Sequence, residues 1–428
     1  MSIILAILIF SVLVLFHEFG HFLFAKLSHI TVLEFSLGMG PRLFSFEKGG
    51  TQYSLKLLPL GGSCLMEGED EDNDAPGSFN NAPIAGRIAT VAAGPVFNFI
   101  LAFVVSVIVV GMTGYSLPVI SSVEAGSAAE AAGLKEGDRI TSFDGYGTSI
   151  ADELYTYLAL EGLDGSPVTV EYVRDGKKDS LTYIPDSEEK YMLGFSYYGD
   201  QNEAKISSVT LNGAMHKAGL QAGDVICEIN NTVINSGKEL QDYMNDHEMD
   251  GSVMEITYIR GDKVRTASVI PTVTTYARIG FSYSGNYHKA DFGEMLHYGF
   301  CEMKYWVKTT ILSLKMLFTG KVSVNDMSGP VGIVSTIDST YQESKSFGLT
   351  ATVATMLNMM ILLSANLGVM NLLPIPALDG GRLVFLLLEA VRRRPIDREV
   401  EGKIHFAGFA LLMVFILYVS VHDVMKLF

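Results

Sequence analysis

Val14-Leu-Phe-His-Glu-Phe-Gly-His-Phe-Leu-Phe24 is the stretch that decides how the rest of the chain is read. His17 and His21 stand four residues apart, so on a helix they project from one face, one turn above the other. Two imidazoles so placed can grip one metal ion, and Glu18 between them can reach a water on that metal without being a ligand. The pattern is His-Glu-x-x-His, the zinc-hydrolase signature, and Zn2+ is the cofactor it implies. The setting sharpens the motif. No ionisable side chain occurs from Met1 to Phe16, and the run stays apolar through Leu27 except for the motif and Lys26. Such a run reads as a membrane-spanning helix of about 20 residues or more. Ionisable residues inside one are expensive and therefore functional by default. The competing explanation, a buried His pair in a soluble core helix, has to be weighed against the remainder of the sequence.

Working outward, the composition suits a membrane protein. Of 428 residues 48% are apolar and only 18% charged, and the formal net charge is -16. An acidic balance argues against nucleic-acid binding, which leaves a basic footprint. Cys64, Cys227 and Cys301 are too few and too scattered for a disulfide framework and are given no part in the metal site. The ligand set must be completed by His, Asp or Glu.

Residues 1–27 form the first span. No Lys or Arg precedes it and no small-residue cleavage site follows, so it reads as retained rather than as a signal peptide. Lys26 at its end, and Arg42, Lys48 and Lys56 beyond it, favour an outside N-terminus and a cytoplasmic loop. That loop, 28–86, alternates as strands do over 34–66. Phe44, Phe46, Tyr53, Leu55 and Leu57 fall on one face around a turn at Lys48-Gly-Gly50. Such a hairpin either packs on the membrane surface or offers its edge to an unwound substrate segment. The acidic run Glu67–Asp74 reads as a solvated, mobile loop. The second span, 87–114, has Asn98 as its most polar member, and Gly94-Pro95 predicts a kink or a close helix contact.

Residues 115–285 are polar and repeated. Ala132-Gly-Leu-x-x-Gly-Asp138 recurs as Ala218-Gly-Leu-x-x-Gly-Asp224, and Tyr172, Arg174 and Pro185 recur as Tyr258, Arg260 and Pro271. The same offset maps Gly194 onto Gly280. A constant offset means two copies of one small α+β fold, here divided as 115–198 and 199–285. The motif resembles bacterial PDZ domains, whose groove binds an extended chain end by strand addition. Leu193-Gly-Phe195 and Ile279-Gly-Phe281 look like their carboxylate-binding loops, with the pairing of loop to copy left open.

Residues 292–320 read as an interfacial amphipathic helix, the alternative being a helix packed on the second copy. The third span, 347–381, ends in Asn371-Leu-Leu-Pro-Ile-Pro-Ala-Leu-Asp379-Gly-Gly381. Two prolines and two glycines cannot continue a regular helix. Unwound backbone at membrane depth belongs in protein or beside a wet cavity. Asp379 there is the candidate third metal ligand; as a mere helix cap it would leave the prolines unexplained. Residues 382–403, with Arg392-Arg-Arg394, form a basic cytoplasmic loop, and 404–422 a fourth span. His216, His405 and His422 read as surface or boundary residues.

His17-Glu-Phe-Gly-His21 and Leu378-Asp379-Gly380 together resemble the site-2 protease family of intramembrane zinc metalloproteases. Gly38-Met-Gly-Pro41, Pro59-Leu-Gly-Gly62 and Gly94-Pro-x-x-Asn98 extend the resemblance along the chain. The tandem PDZ units and Ser328-Gly-Pro-Val-Gly332 point to the bacterial regulator of sigma-E protease branch. The resemblance implies a polytopic α-helical membrane protein with four transmembrane helices, two inserted extracytoplasmic PDZ domains and a membrane-associated β-hairpin. It makes His17, His21 and Asp379 zinc ligands and Glu18 the base, with Asn371 and Pro374 positioning substrate. It implies a multi-pass protein of the bacterial cell membrane, its active site near the cytoplasmic face. The reaction would be regulated intramembrane proteolysis of pre-trimmed transmembrane proteins, anti-sigma factors or remnant signal peptides. A non-enzymatic scaffold would instead close its zinc with four protein ligands, and a metal transporter would need further buried carboxylates along the spans.

Overall fold

Among the described residues, four helices are long and apolar enough to cross a membrane: α1 (Ser2–Leu27), α2 (Ile84–Thr113), Leu349–Asn371 and Arg398–Leu427. Even the 23-residue helix is about 35 Å long, which exceeds a hydrocarbon core of about 30 Å. The computed structural model describes residues 2–69, 75–197, 202–320, 322, 327–394 and 396–427. Contacts divide it into two units. Met1–Tyr115, Tyr287–Leu314 and Ser328–Phe428 form one, and Ser116–Asn286 with Lys315–Met327 the other.

In the first unit Ile9 and Leu13 of α1, Leu101, Val105 and Val109 of α2, and Ile361 and Ala365 build a shared core. Lipid tails are as apolar as these side chains, so helices associate through close packing, and small residues permit it. Gly20 of α1 abuts the Ala93 carbonyl, and Gly368 abuts the Phe99 ring. The Phe292–Phe318 helix packs by the same means. A Cβ at Gly299 would lie 2.7 Å from Val107 of α2, and Met303, Trp306 and Val307 join the shared core. Arg87, at the start of α2, makes two hydrogen bonds to Glu389 (3.0 and 2.6 Å) and so ties α2 to the Asp379–Arg392 helix.

β1 (Val32–Lys48) and β2 (Thr51–Met66) each fold back on themselves, so that 42–48 with 51–56 and 32–37 with 62–66 pair antiparallel while 34–37 runs parallel to 52–55. Phe35 pairs with both Tyr53 and Cys64, and Leu37 with both Leu55 and Gly62. The result is four segments in the order 42–48, 51–56, 32–37, 62–66. The sequence showed only the outer hairpin, because the alternation resets where Gly38, Gly40 and Gly61 take φ of +89°, +86° and +85°. Met39, Leu43, Phe44 and Leu57 are exposed on this sheet. Burial works against the charge of Glu34, but hydrogen bonds from Arg42 and Lys56 outweigh it and hold the carboxyl below its ordinary pKa. Residues 70–74 of the acidic run lie outside the described residues.

The second unit explains why its motifs repeat. Arg174 grips Asp138 through Nε and Nη2, both at 2.6 Å, and Arg260 grips Asp224 at 2.7 and 2.8 Å. Both carboxylates are buried, and a buried carboxylate is tolerated only when paired and hydrogen-bonded. The same Asp caps backbone N–H groups, of Lys135 in one copy and Gln221 in the other.

The division at 198/199 is not where the sheets divide. Phe281–Ser284 pairs with Val119–Val123 and completes the sheet of the first copy, whose core includes Phe281. Phe195–Tyr197 pairs with Ile206–Val209, and Leu193 lies in the core of the second copy. Ile279-Gly-Phe281 therefore serves the first copy and Leu193-Gly-Phe195 the second. The second copy is inserted into the first through a ribbon of Asp186–Met192 and Thr272–Arg278, paired along all seven residues. A constant offset is satisfied equally by copies side by side and by copies with exchanged end strands, so the repeat alone could not show this.

Candidate metal centre

The apolar first span brings His17 and His21 to one face of α1, as their spacing requires. Their Nε2 atoms lie 3.2 Å apart. Asp379 Oδ2, at the first residue of the Asp379–Arg392 helix, stands 3.3 Å from His17 Nε2 and 3.5 Å from His21 Nε2. Ligands about 2.0–2.1 Å from a tetrahedral zinc are separated by about 3.3–3.4 Å, so the triangle has the size one zinc ion requires. Asp379 Oδ2 is buried and receives no hydrogen bond. Such an orphaned acceptor is costly unless something occupies its lone pairs. Among the described residues, these three form the group of His, Cys, Asp or Glu close enough to share an ion.

The tautomer at His21 is fixed from behind. Its Nδ1 lies 2.9 Å from the Thr90 carbonyl, which can only accept, so Nδ1–H donates and the Nε2 lone pair faces the centre. At His17 the equivalent neighbour is the fully buried amide of Asn98, 3.1 Å from Nδ1. Asn98 Oδ1 has no partner. With the amide turned so that this oxygen accepts from Nδ1–H, His17 Nε2 is also free for metal. Gly94, between Thr90 and Asn98, presses its bare Cα against both rings. A Cβ there would collide with His21 Nε2 and sit 2.8 Å from His17 Cε1. The close contact expected at Gly94-Pro95 is thus made with the imidazoles themselves.

Asp379 reaches the rings because the chain before it doubles back. Gly380 abuts the carbonyls of Leu372 and Leu373, and Gly381 that of Ile375, closer than any side chain would permit. Glu18 is not part of the donor group. Its Cγ would lie 3.1 Å from a Cβ at Gly62, so segment 62–66, the end strand of the β sheet, runs beside it. Asn371 closes the Leu349–Asn371 helix, half-buried, and Pro374 is exposed on the loop leading to Asp379.

His405, expected at the surface or its boundary, is partly buried, and its Nδ1 accepts the Ala377 N–H at 3.0 Å, on that same loop. Thr90, Gly94 and Asn98 also went unassigned in the sequence. Their recurrence every four residues on one face of an apolar span is the signal that marks them. The signal for His405 is absent, because its partner is a backbone group.

The model of Peptidase family M50 matches residues 5–415. The regulator of sigma-W protease RasP of Bacillus subtilis is 32% identical over 453 residues, covering 100% of this chain and 99% of the relative. The regulator of sigma-E protease RseP of Escherichia coli is 31% identical over 439 residues, 94% of each. The zinc metalloprotease RasP of Geobacillus kaustophilus is 30% identical, covering 100% of this chain and 98% of its own. Likeness from end to end, joined to a donor set of the right size for zinc, means that the chain belongs to peptidase family M50, the site-2 proteases, and is a membrane-integral zinc metalloprotease.

Proposed function

We propose that this protease hydrolyses peptide bonds within the bilayer, in transmembrane segments of proteins already trimmed on the outer side. The observation that carries the proposal is the meeting of His17, His21 and Asp379 among helices long and apolar enough to cross a membrane. Three protein donors leave a fourth tetrahedral position open, as catalytic zinc sites do. Zinc held there supplies a Lewis acid that lets water attack a carbonyl at neutral pH. Glu18 takes the proton that the water gives up and returns it to the leaving amine. A helical substrate keeps its carbonyls in hydrogen bonds and must unwind before attack. Segment 62–66, an end strand beside Glu18, is suited to pair with the unwound stretch, while Asn371 and Pro374 position it.

Charge asymmetry favours an arrangement in which 28–86 and 382–403 face the cytoplasm, the metal centre lies near that face, and the repeated units lie outside. The repeated units are then PDZ domains that filter substrates. The names of the relatives speak of sigma-W and sigma-E regulation, which favours anti-sigma factors as substrates here, with remnant signal peptides as the other class.

Purified enzyme in detergent, given a single-pass reporter with Gly and Asn in its span and no outer domain, should yield products whose masses place the cut inside the span. Cleavage confined to residues outside the span would reject the proposal. Deleting residues 120–285 with a short linker should let the enzyme cut reporters that still carry a bulky outer domain, whereas substitutions at Gly194 or Gly280 should not. A deleted form that discriminates as sharply as the intact enzyme would remove the filter from the account.

A further inference from the structure

Ala377, two residues before Asp379, has φ +82°. A residue with a Cβ seldom adopts this conformation and keeps it only where its surroundings enforce it. Another helix, Arg398–Leu427, touches the loop at this point. Ala377 N–H donates to His405 Nδ1 at 3.0 Å, and the His405 ring packs on Phe385 with centroids 5.4 Å apart. One turn further along, a Cβ at Gly408 would lie 2.5 Å from Pro376 Cβ and 2.6 Å from the Pro376 carbonyl oxygen. His405 and Gly408 thus bear on adjacent residues of the loop from one face of the helix.

Elsewhere this helix is lightly held. Phe406, Phe409, Leu411, Val414 and Leu417 are each more than half exposed. A buried polar tie lies at the far end, where Asp423 accepts the Gly332 N–H at 2.8 Å. His405 itself is not in the donor group.

We propose that His405 is a positioning residue: by accepting the Ala377 N–H it holds the Pro374–Leu378 loop in the bend that presents Asp379 to His17 and His21. The last apolar helix is thereby a clamp on the metal-ligand loop, and Gly408 is its second jaw. The clamp rests on the zinc-site reading above.

The test uses full-length protein in detergent, measuring zinc retention against a chelator and cleavage of the Gly/Asn reporter. His405→Leu keeps the bulk and removes the acceptor. Zinc affinity and kcat/KM should each fall about ten- to a hundredfold. His405→Asn, whose Oδ1 stands where Nδ1 stood, should recover both. Ala377→Gly is measured as the reference, because glycine takes positive φ without steric cost. In the double variant His405→Leu/Ala377→Gly most of the loss should disappear, a coupling that a merely structural histidine would not show. If His405→Leu does not yield folded protein, Gly408→Ala probes the same clamp and should also weaken zinc binding. Zinc retention in His405→Leu equal to wild type, or a double variant no better than His405→Leu, would overturn the clamp. His17→Ala separates the two levels: if it loses zinc while His405→Leu keeps it, the clamp alone is wrong, and if it keeps zinc, the metal centre is.

Discussion

Replacing Glu18 by Gln should lower cleavage by at least about 10²–10⁴-fold while the purified protein keeps its zinc. The substitution preserves the shape of the side chain and its packing against Gly62. It removes the carboxylate proposed above to take a proton from water and pass it to the leaving amine. Zinc should stay because Glu18 is not among the three converging donors. Metal analysis beside the reporter assay separates the roles. Loss of zinc from Glu18→Gln would make Glu18 a ligand, and unchanged turnover would leave the base unassigned.

The second large effect is expected at a residue with no functional group at all. Gly94→Ala should weaken zinc binding by about 10–100-fold and reduce cleavage at least as much. The added methyl would collide with His21 Nε2 and crowd His17 Cε1, so either the rings turn from the centre or α2 withdraws from α1. Withdrawal would also strip His17 of Asn98 and His21 of Thr90. Gly402→Ala is the control, since a Cβ there meets nothing within 4 Å. Zinc content and thermal unfolding, measured together, distinguish displaced ligands from a damaged fold. Wild-type zinc retention in Gly94→Ala would show that the close approach has no consequence for the site.

How much of this was legible in the sequence depended on how local each cause is. His17, Glu18 and His21 could be read because their geometry follows from helical spacing, and Asp379 because two prolines and two glycines marked an unwound stretch. The spans were legible from length and apolarity, and the recurrence of Asp138 and Arg174 as Asp224 and Arg260 from their shared offset, though the pairing of each Asp with its Arg was not. What was hidden depends on contacts distant in sequence. Exchange of the strands at Phe195 and Phe281 leaves the repeat offset unchanged. The inner half of the β sheet was hidden because Gly38, Gly40 and Gly61 break the alternation that identifies a strand. His405 acts through a backbone N–H, which leaves no side-chain pattern, and at Gly94 a close contact was to be expected but not its partners, the two imidazoles.

Every role proposed for the site rests on one zinc ion held by His17, His21 and Asp379 inside the membrane bundle. The most direct test is the zinc content of purified Asp379→Ala beside wild type, by atomic absorption, in protein shown by thermal unfolding to remain folded. One zinc per chain is expected in the wild type and almost none in the variant. A folded Asp379→Ala protein carrying its full zinc would contradict it.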